Sequence, residues 1–388
     1  MRFFRLSNLM KNIIQEDTVS ISDKQLTRRE FLRATASIGG LLFLNLWGSG
    51  FASTFGRLSD QSCSGQVLRD GGLLFLPDHG TMFVASDFHT RYADFQMWLE
   101  RTRIVERLRN GDDVYGLIVG DVVDRKPGDI HAEDDGDTRI IERIREIQNN
   151  LDEQGERFLY IQGNHENRCV SIYEKLVTDE AMTASNQQQV VKNLFSGDRG
   201  SYYQQFNFVS RMNDDRYRYL KDLPVAVITD NGIVGIHAGP SGSLSSPKDI
   251  IDLNETVVQE ILWSRPIEVR KDGYDTSDLS TFLHRMNGSS LLVSGHTPLR
   301  YLPEEFIRDN VGEYGEQQII LATSYGSEPA GKSFLVLDLK TVYENTSELR
   351  AGEEIRLLES QLAHITRTQP LMSSQSHRLS AGSPLHQV

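Results

Sequence analysis

Positive charge is scarce in this chain. Lys and Arg number 41 against 54 Asp and Glu in 388 residues, leaving a net charge of −13. A molecule of that sign repels a polyanion, so nucleic acid is not an expected partner. Cysteine is scarcer still, with Cys63 and Cys169 the two present. They cannot build a disulfide framework and lack the paired spacing of a zinc knuckle, so both read as free thiols. No internal repeat is evident. Uncharged runs are short with one exception near the N-terminus. At 38% hydrophobic and 24% charged, the remainder is enough to bury one large core.

The exception runs from Ala34 to Gly56, 23 residues without a charge, and includes Leu41-Leu42-Phe43-Leu44. Thr27-Arg28-Arg29-Glu30-Phe31-Leu32-Arg33 stands directly before it. An arginine pair followed by a modestly apolar segment resembles a twin-arginine export signal, which implies the Tat machinery as a partner and a location in the periplasm or on the outer face of the membrane. Gly50-Phe51-Ala52 offers a small-residue cleavage site. Left uncleaved, the same segment is long enough to span a bilayer core of about 30 Å, so an anchor with membrane contact through residues 34–56 is the alternative.

Residues 1–56 thus read as signal or anchor, 57–72 as a Ser- and Gln-rich linker, 73–345 as a catalytic domain, and 346–388 as a charged, partly disordered tail. Within the domain, Gly80 to Asp87 reads as a strand ending in a carboxylate, and Phe95, Trp98, Leu99, Thr102, Val105 and Leu108 mark one face of a single helix. Tyr115 to Val119 is a strand covered on both faces. Ile140, Ile141, Ile144, Ile147 and Leu151 keep helical spacing, and a strand follows from Arg157 to Gln162. Strands alternating with helices form βαβ units on a parallel sheet. Residues 171–220 are polar and read as helices and loops capping the site. Val225 to Ile236 is two apolar runs around Asn231-Gly232, a strong hairpin signal that opens a second sheet. That sheet is expected to continue through Ser290–Val293, Gln318–Thr323 and Ser333–Leu339.

The chemistry gathers where strands stop. In Tyr115 to Arg125, Y-G-L-I-V-G-D-V-V-D-R, a buried strand runs into Gly120 and then into Asp121, Asp124 and Arg125. Alone, G-D-x-x-D-R is also compatible with a turn and a surface ion pair. Four further strand ends carry residues of the same kind: Asp87 and His89, Asn164 and His165, His237, and His296. Carboxylate, amide oxygen and imidazole together suit manganese, iron or zinc, and no thiolate is offered for a softer ion.

Asp87-x-His89, Gly120-Asp121-x-x-Asp124-Arg125, Gly163-Asn164-His165-Glu166, His237-Ala238-Gly239 and Gly295-His296-Thr297 together resemble the signature of the calcineurin-like metallophosphoesterases. The Arg after Asp124, the string Leu262-Trp263-Ser264-Arg265-Pro266 and the closing Gly-His-Thr-Pro narrow the resemblance to the phosphoprotein phosphatase branch. It implies an α/β fold, a two-sheet ββ sandwich flanked by helices. It also implies two divalent or trivalent ions, manganese first, with iron or zinc accepted. Asp87 and His89 would hold one ion, Asn164, His237 and His296 the other, and Asp121 would bridge them. A hydroxide shared by the ions would attack the phosphorus. His165 would protonate the leaving oxygen with Asp124 orienting its ring, and Arg125 and Arg265 would grip the phosphate. Tyr325 falls near an aromatic that the family places by its substrate. This chain departs from the family at Ser86, Thr90 and Lys126, where glycine is usual.

The implied activity is hydrolysis of phosphate monoesters, phosphoserine and phosphothreonine among them, so a phosphorylated protein or small molecule is the expected partner. The closing strings also occur in bacterial dinucleoside-polyphosphate hydrolases, which keeps that activity as an alternative. A non-catalytic metal-binding protein on the same fold is a third reading. It would be marked by loss of a ligand or of His165, and none is missing.

Overall fold

The computed structural model describes residues 66–126, 128–178, 207–328 and 330–359. The arginine pair, the uncharged run at 34–56, Cys63 and most of the tail lie outside the described residues. Among the described residues, no helix is long and apolar enough to cross a membrane.

Among the described residues, thirteen strands form two sheets. The smaller contains β3 (Thr81–Ala85), β4 (Val114–Ile118), β5 (Phe158–Tyr160), β12 (Ser333–Asp338) and β13 (Ile355–Leu357), in the order β13-β12-β3-β4-β5. β3, β4 and β5 are parallel. The larger sheet is built from β1 (Leu68–Asp70), β2 (Leu73–Leu76), β6 (Ala226–Thr229), β7 (Ile233–Ile236), β8 (Leu291–Ser294), β9 (Ile307–Arg308), β10 (Val311–Tyr314) and β11 (Gln318–Ile320). In it, β7, β8 and β11 run parallel to one another. Period-two alternation sorts the smaller sheet's side chains onto two faces. Met82, Val84, Tyr115, Leu117, Leu159 and Ile161 join Val227, Leu291, Val293 and Ile319 in one core cluster. Phe83, Ala85, Ile118, Phe158 and Tyr160 point the other way, into a cluster with Phe95, Trp98, Ile140 and Ile144 from the helices. β4 is buried along its whole length because both of its faces are covered.

Several expectations need correction. The apolar face read as one helix belongs to two, α1 (Tyr92–Thr102) and α2 (Ile104–Arg109), broken at Arg103, whose φ is 52°. A left-handed residue ends the first helix and resets the phase, so that Ile104 and Leu108 turn inward rather than Val105. β12 belongs to the smaller sheet, where it pairs antiparallel with β3. The fold also extends past both edges of 73–345. β1 pairs with β2, and β13 covers β12 and buries Ile355, with Leu349 and Leu358 buried alongside. α3 (Gly136–Asn150) and α4 (Asn164–Thr178) flank β5 in chain order, and of the expected cap the described parts are the C-terminal half of α4 and the segment from residue 207 through α5 (Asp214–Lys221). The Asn231-Gly232 hairpin forms as expected, with β6 antiparallel to β7.

Candidate metal centre

Both sheets deliver the C-terminal ends of their parallel strands to one place. β3 leads to Asp87 and His89, β4 to Asp121 and Asp124, β5 to Asn164 and His165, β7 to His237, β8 to His296 and β11 to Tyr325. The loops are stitched to one another. His89 N–H donates to the Asp121 carbonyl at 3.0 Å and Thr90 N–H to that of Val122 at 2.9 Å. Gly295 N–H reaches the His237 carbonyl at 2.8 Å, and Tyr325 N–H that of Asp87 at 2.9 Å. Strain concentrates in these loops. Asp87, His89, Thr90, Asp121, Asp124 and His296 all have positive φ, from 43° to 71°, a conformation that side-chain-bearing residues hold only where their surroundings over-determine it. Gly120 and Gly163 make the crossing possible. A Cβ on Gly120 would meet the Gly163 Cα and His237 Nδ1, both at 2.6 Å.

The ligating atoms of His89, Asp121 and His165 lie within 4.8 Å of one another, and those of Asp121, His237 and His296 do the same. Asp121 is common to both groups. His89 Nε2 is 3.4 Å from Asp121 Oδ2 and 3.7 Å from Asp87 Oδ1, and His237 Nε2 is 3.3 Å from Asp121 Oδ1. The far ring nitrogens are tied down, His89 Nδ1 by the Val123 carbonyl at 3.0 Å and His237 Nδ1 by that of Val119 at 2.8 Å. This leaves Nε2 of each directed at the carboxylates, the outer-shell arrangement that orients histidine ligands. His296 turns Nδ1 toward Asn164 and has Arg265 Nε 3.0 Å from its Nε2. Asn164 Oδ1 faces the Asp121 oxygens at 3.1 and 3.2 Å, acceptor against acceptor, a conflict relieved by turning the amide over or by a cation between them. The donor set and this conflict fit two metal ions sharing Asp121.

Electrostatics agree with that fit. Burial pushes the Asp87 carboxyl up to about 7. Burial opposes ionisation of Asp121 as well, but His237 and His165 outweigh it and hold its carboxyl well below the usual range. His89 is pushed well down by burial and then by Lys126, and His296 by burial and then by Arg265, so both present neutral rings. Burial lowers His237 too, yet the Asp121 carboxylate overrides it and raises the ring to about 9. A cation would remove the proton from His237 and from Asp87 alike.

The profile of calcineurin-like phosphoesterases matches residues 81–316, from β3 past the last ligand. The chain belongs to this family. Its α/β fold of two sheets flanked by helices is that of the family. No curated protein sequence matches the chain. Among solved structures it is similar to a protein serine/threonine phosphatase from Saccharomyces cerevisiae, at 13% identity over 74% of this chain and 82% of that one, with a TM-score of 0.45. A cold-active protein-tyrosine phosphatase of a psychrophilic Shewanella is 12% identical over 76% of this chain and 84% of that one, with a TM-score of 0.39. A metallophosphoesterase from Sphaerobacter thermophilus is 14% identical over 67% and 84%, with a TM-score of 0.37.

In this phosphoesterase, nine of the ten residues singled out from sequence converge: Asp87, His89, Asp121, Asp124, Asn164, His165, His237, Arg265 and His296. His165 Nδ1 is 2.8 Å from the buried Asp124 Oδ2, the expected orienting pair. Arg125 differs. Its guanidinium contacts Asp134 and the Asp129 carbonyl, so the acidic loop after β4 engages it in place of the centre. Three residues take part without a role having been read from the sequence. Glu166 is fully buried and accepts the backbone N–H groups of Asp121, Val122, Val123 and Gly163 at 2.8 to 3.1 Å, holding the β4 loop in place. It stands inside a motif already noted, and its burial between two ligand loops is what local pattern does not show. Lys126 Nζ lies 2.7 Å from His165 Nε2 and 3.3 Å from Asp124 Oδ2. Arg91 is buried, bonded to Asp129 at 2.7 Å and to the Ser324 carbonyl at 3.0 Å.

Proposed function

We propose that this phosphoesterase is a metal-dependent phosphatase of the phosphoprotein phosphatase branch, hydrolysing phosphate monoesters. The observation that carries the reading is Asp121 shared between two ligand groups, with the His165–Asp124 pair beside it. Arg125, the Leu-Trp-Ser-Arg-Pro string and Gly-His-Thr-Pro favour the branch. Asp87, His89, Asp121, Asn164, His237 and His296 would hold two divalent ions, manganese first. When bound, the ions supply the Lewis acidity that makes water nucleophilic at neutral pH and offsets charge on the phosphate.

The protein's own groups do the rest. Arg265, half-buried and already bonded to the His296 ring, presents a guanidinium to the non-bridging oxygens. The bond from phosphorus to the leaving oxygen breaks as the water oxygen bonds to phosphorus. Lys126 donates to His165 Nε2 before substrate arrives; once that ammonium turns to the phosphate, His165, its ring fixed by Asp124 through Nδ1, carries a proton on Nε2 and gives it to the leaving oxygen. Purified protein should hydrolyse an aryl phosphate when supplied with manganese and lose that activity to a chelator. Full turnover in chelated, metal-free protein would overturn the reading. We also assign the chain to the export route implied by Arg28 and Arg29, since a site assembled from residues so far apart needs a carrier that accepts folded cargo.

A further inference from the structure

We propose that the leaving-group side of this centre is an anion subsite, formed by Lys126, Arg300 and Tyr325, that selects substrates whose leaving group carries a phosphate of its own. The inference rests on the phosphatase reading above, in which His165 faces the leaving oxygen, and it narrows the substrate class.

His165 Nε2 marks where the leaving oxygen is protonated, and Lys126 Nζ lies 2.7 Å from that nitrogen. The same ammonium is 5.8 Å from the centre of the Tyr325 ring. That ring packs edge-on against the ligand His89, with centroids 5.1 Å apart, which fixes it at the rim of the centre. Arg300 lies over the ring at 5.4 Å and donates from Nη2 to the Tyr325 hydroxyl at 3.1 Å. Arg91, buried beneath, sits 5.5 Å from the ring centre. Three cations therefore surround one aromatic ring in a molecule whose net charge is −13, against the overall balance. Arg91 is held by Asp129, and Lys126 is partly offset by Asp124. Arg300, exposed at the rim, bonds there to a neutral phenol.

A monoester with an uncharged leaving group can use the ammonium beside His165. It has nothing to offer a guanidinium on the far side of Tyr325. A second phosphate offers two or three anionic oxygens, and Lys126, Arg300 and the Tyr325 hydroxyl are all donors to such a group. None of the three belongs to the proposed ligand set. Hydrolysis at the metal-side phosphate balances simply. Its phosphorus loses the bridging oxygen and gains the oxygen of water. The leaving oxygen, of the second phosphate in an anhydride or of the alcohol in a bisphosphate ester, takes the proton from His165, which is replaced through solvent by the one that water gives up.

Two sources supply this chemistry, a phosphoanhydride and a bisphosphate ester. The manganese-loaded full chain would be assayed on p-nitrophenyl phosphate, inorganic pyrophosphate, ADP and fructose 1,6-bisphosphate. Binding of pyrophosphate and of orthophosphate would be compared by calorimetry with manganese in excess. The expected result is at least tenfold higher kcat/KM for a two-phosphate substrate than for the aryl phosphate, and at least tenfold tighter binding of pyrophosphate than of orthophosphate. Pyrophosphate and ADP leading assigns the anhydride, and the sugar bisphosphate leading assigns the ester. Arg300→Met and Lys126→Met should each shrink both ratios at least fivefold, Arg300→Lys should restore most of the loss, and melting curves check that the variants fold. Hydrolysis of aryl phosphate with both ratios near one, or unchanged in the variants, overturns the subsite and leaves the phosphatase reading intact. No hydrolysis of any substrate overturns the phosphatase reading, and the binding ratio then decides the subsite alone.

Discussion

His165 Nε2 lies 3.7 Å from Asp121 Oδ2, and its backbone N–H donates to Asp121 Oδ1 at 3.1 Å, yet substitutions of the two should separate cleanly. Asp121→Asn removes the negative charge common to both groups and replaces one of the two oxygens that face them, and metal content by elemental analysis should fall with activity. His165→Asn should retain both ions while kcat drops by roughly 10² to 10⁴, the usual contribution of a positioned general acid. Equal loss of metal in both variants would make His165 a ligand. Glu166→Ala addresses support rather than chemistry. It leaves four backbone N–H groups without their buried acceptor, which should destabilise the protein by on the order of 3 kcal/mol and weaken metal retention. Acidity gives a further check. In metal-free protein His237 is raised from 6.5 to about 9, so its contribution to stability is complete below pH 6.5 and is lost as pH rises toward 9. Asp87, raised from 3.8 to about 7, acts in the same direction at lower pH. There the lowered His89 and His296 oppose it. Above pH 7 His237 stands alone among the centre's shifted ligands, so the melting temperature of chelated protein should fall from pH 7 to 9 while that of metal-loaded protein does not follow.

Among the elements, β13 shows how a segment with the composition of a tail can be part of the core. A chain ending at Asn345 loses Leu349, Ile355 and Leu358, three aliphatic side chains at 3% exposure or less. At roughly 1.5–3 kcal/mol each this removes about 5 to 9 kcal/mol, the scale of a domain's whole stability, and uncovers the edge of β12. That chain should be insoluble or unfolded by circular dichroism, whereas one ending at Glu359 should fold and bind metal. The charged residues around β13 hid it, because a three-residue edge strand needs few apolar positions. The candidate ligands were legible for the opposite reason. Each follows an apolar run directly, and Gly120, Gly163 and Gly295 announce the turn. Pairing partners were not legible in the same way. Nothing local tells Ser333–Asp338 to lie against Thr81–Ala85, nearly the whole domain away. Arg103 carries no sign of a helix break such as Gly or Pro. Lys126 stood out only as a departure from the family pattern and Arg300 not at all, because their meaning lies in one shared neighbour, Tyr325.

For the molecule as a whole, export is the expectation with the most direct experiment. Replacing Arg28 and Arg29 by Lys should leave active, metal-loaded protein in the cytoplasm and none beyond the membrane. Unchanged export in that variant, or a wild-type protein found in the cytoplasm by fractionation, would require another account of residues 34–56.

The bond between the His296 backbone and the Asp87 carboxylate joins residues 209 positions apart. During synthesis at about 5–20 residues per second, the first ligand precedes the last by roughly 10 to 40 s. On the proposed ligand assignment, Asp87, His89 and Asp121 therefore leave the ribosome before His237 and His296 exist to complete the set. Whichever ion the finished centre prefers, the nascent chain meets the cell's free metals first, and the pool available at the moment of closure becomes as decisive for what is bound as the affinity of the completed site.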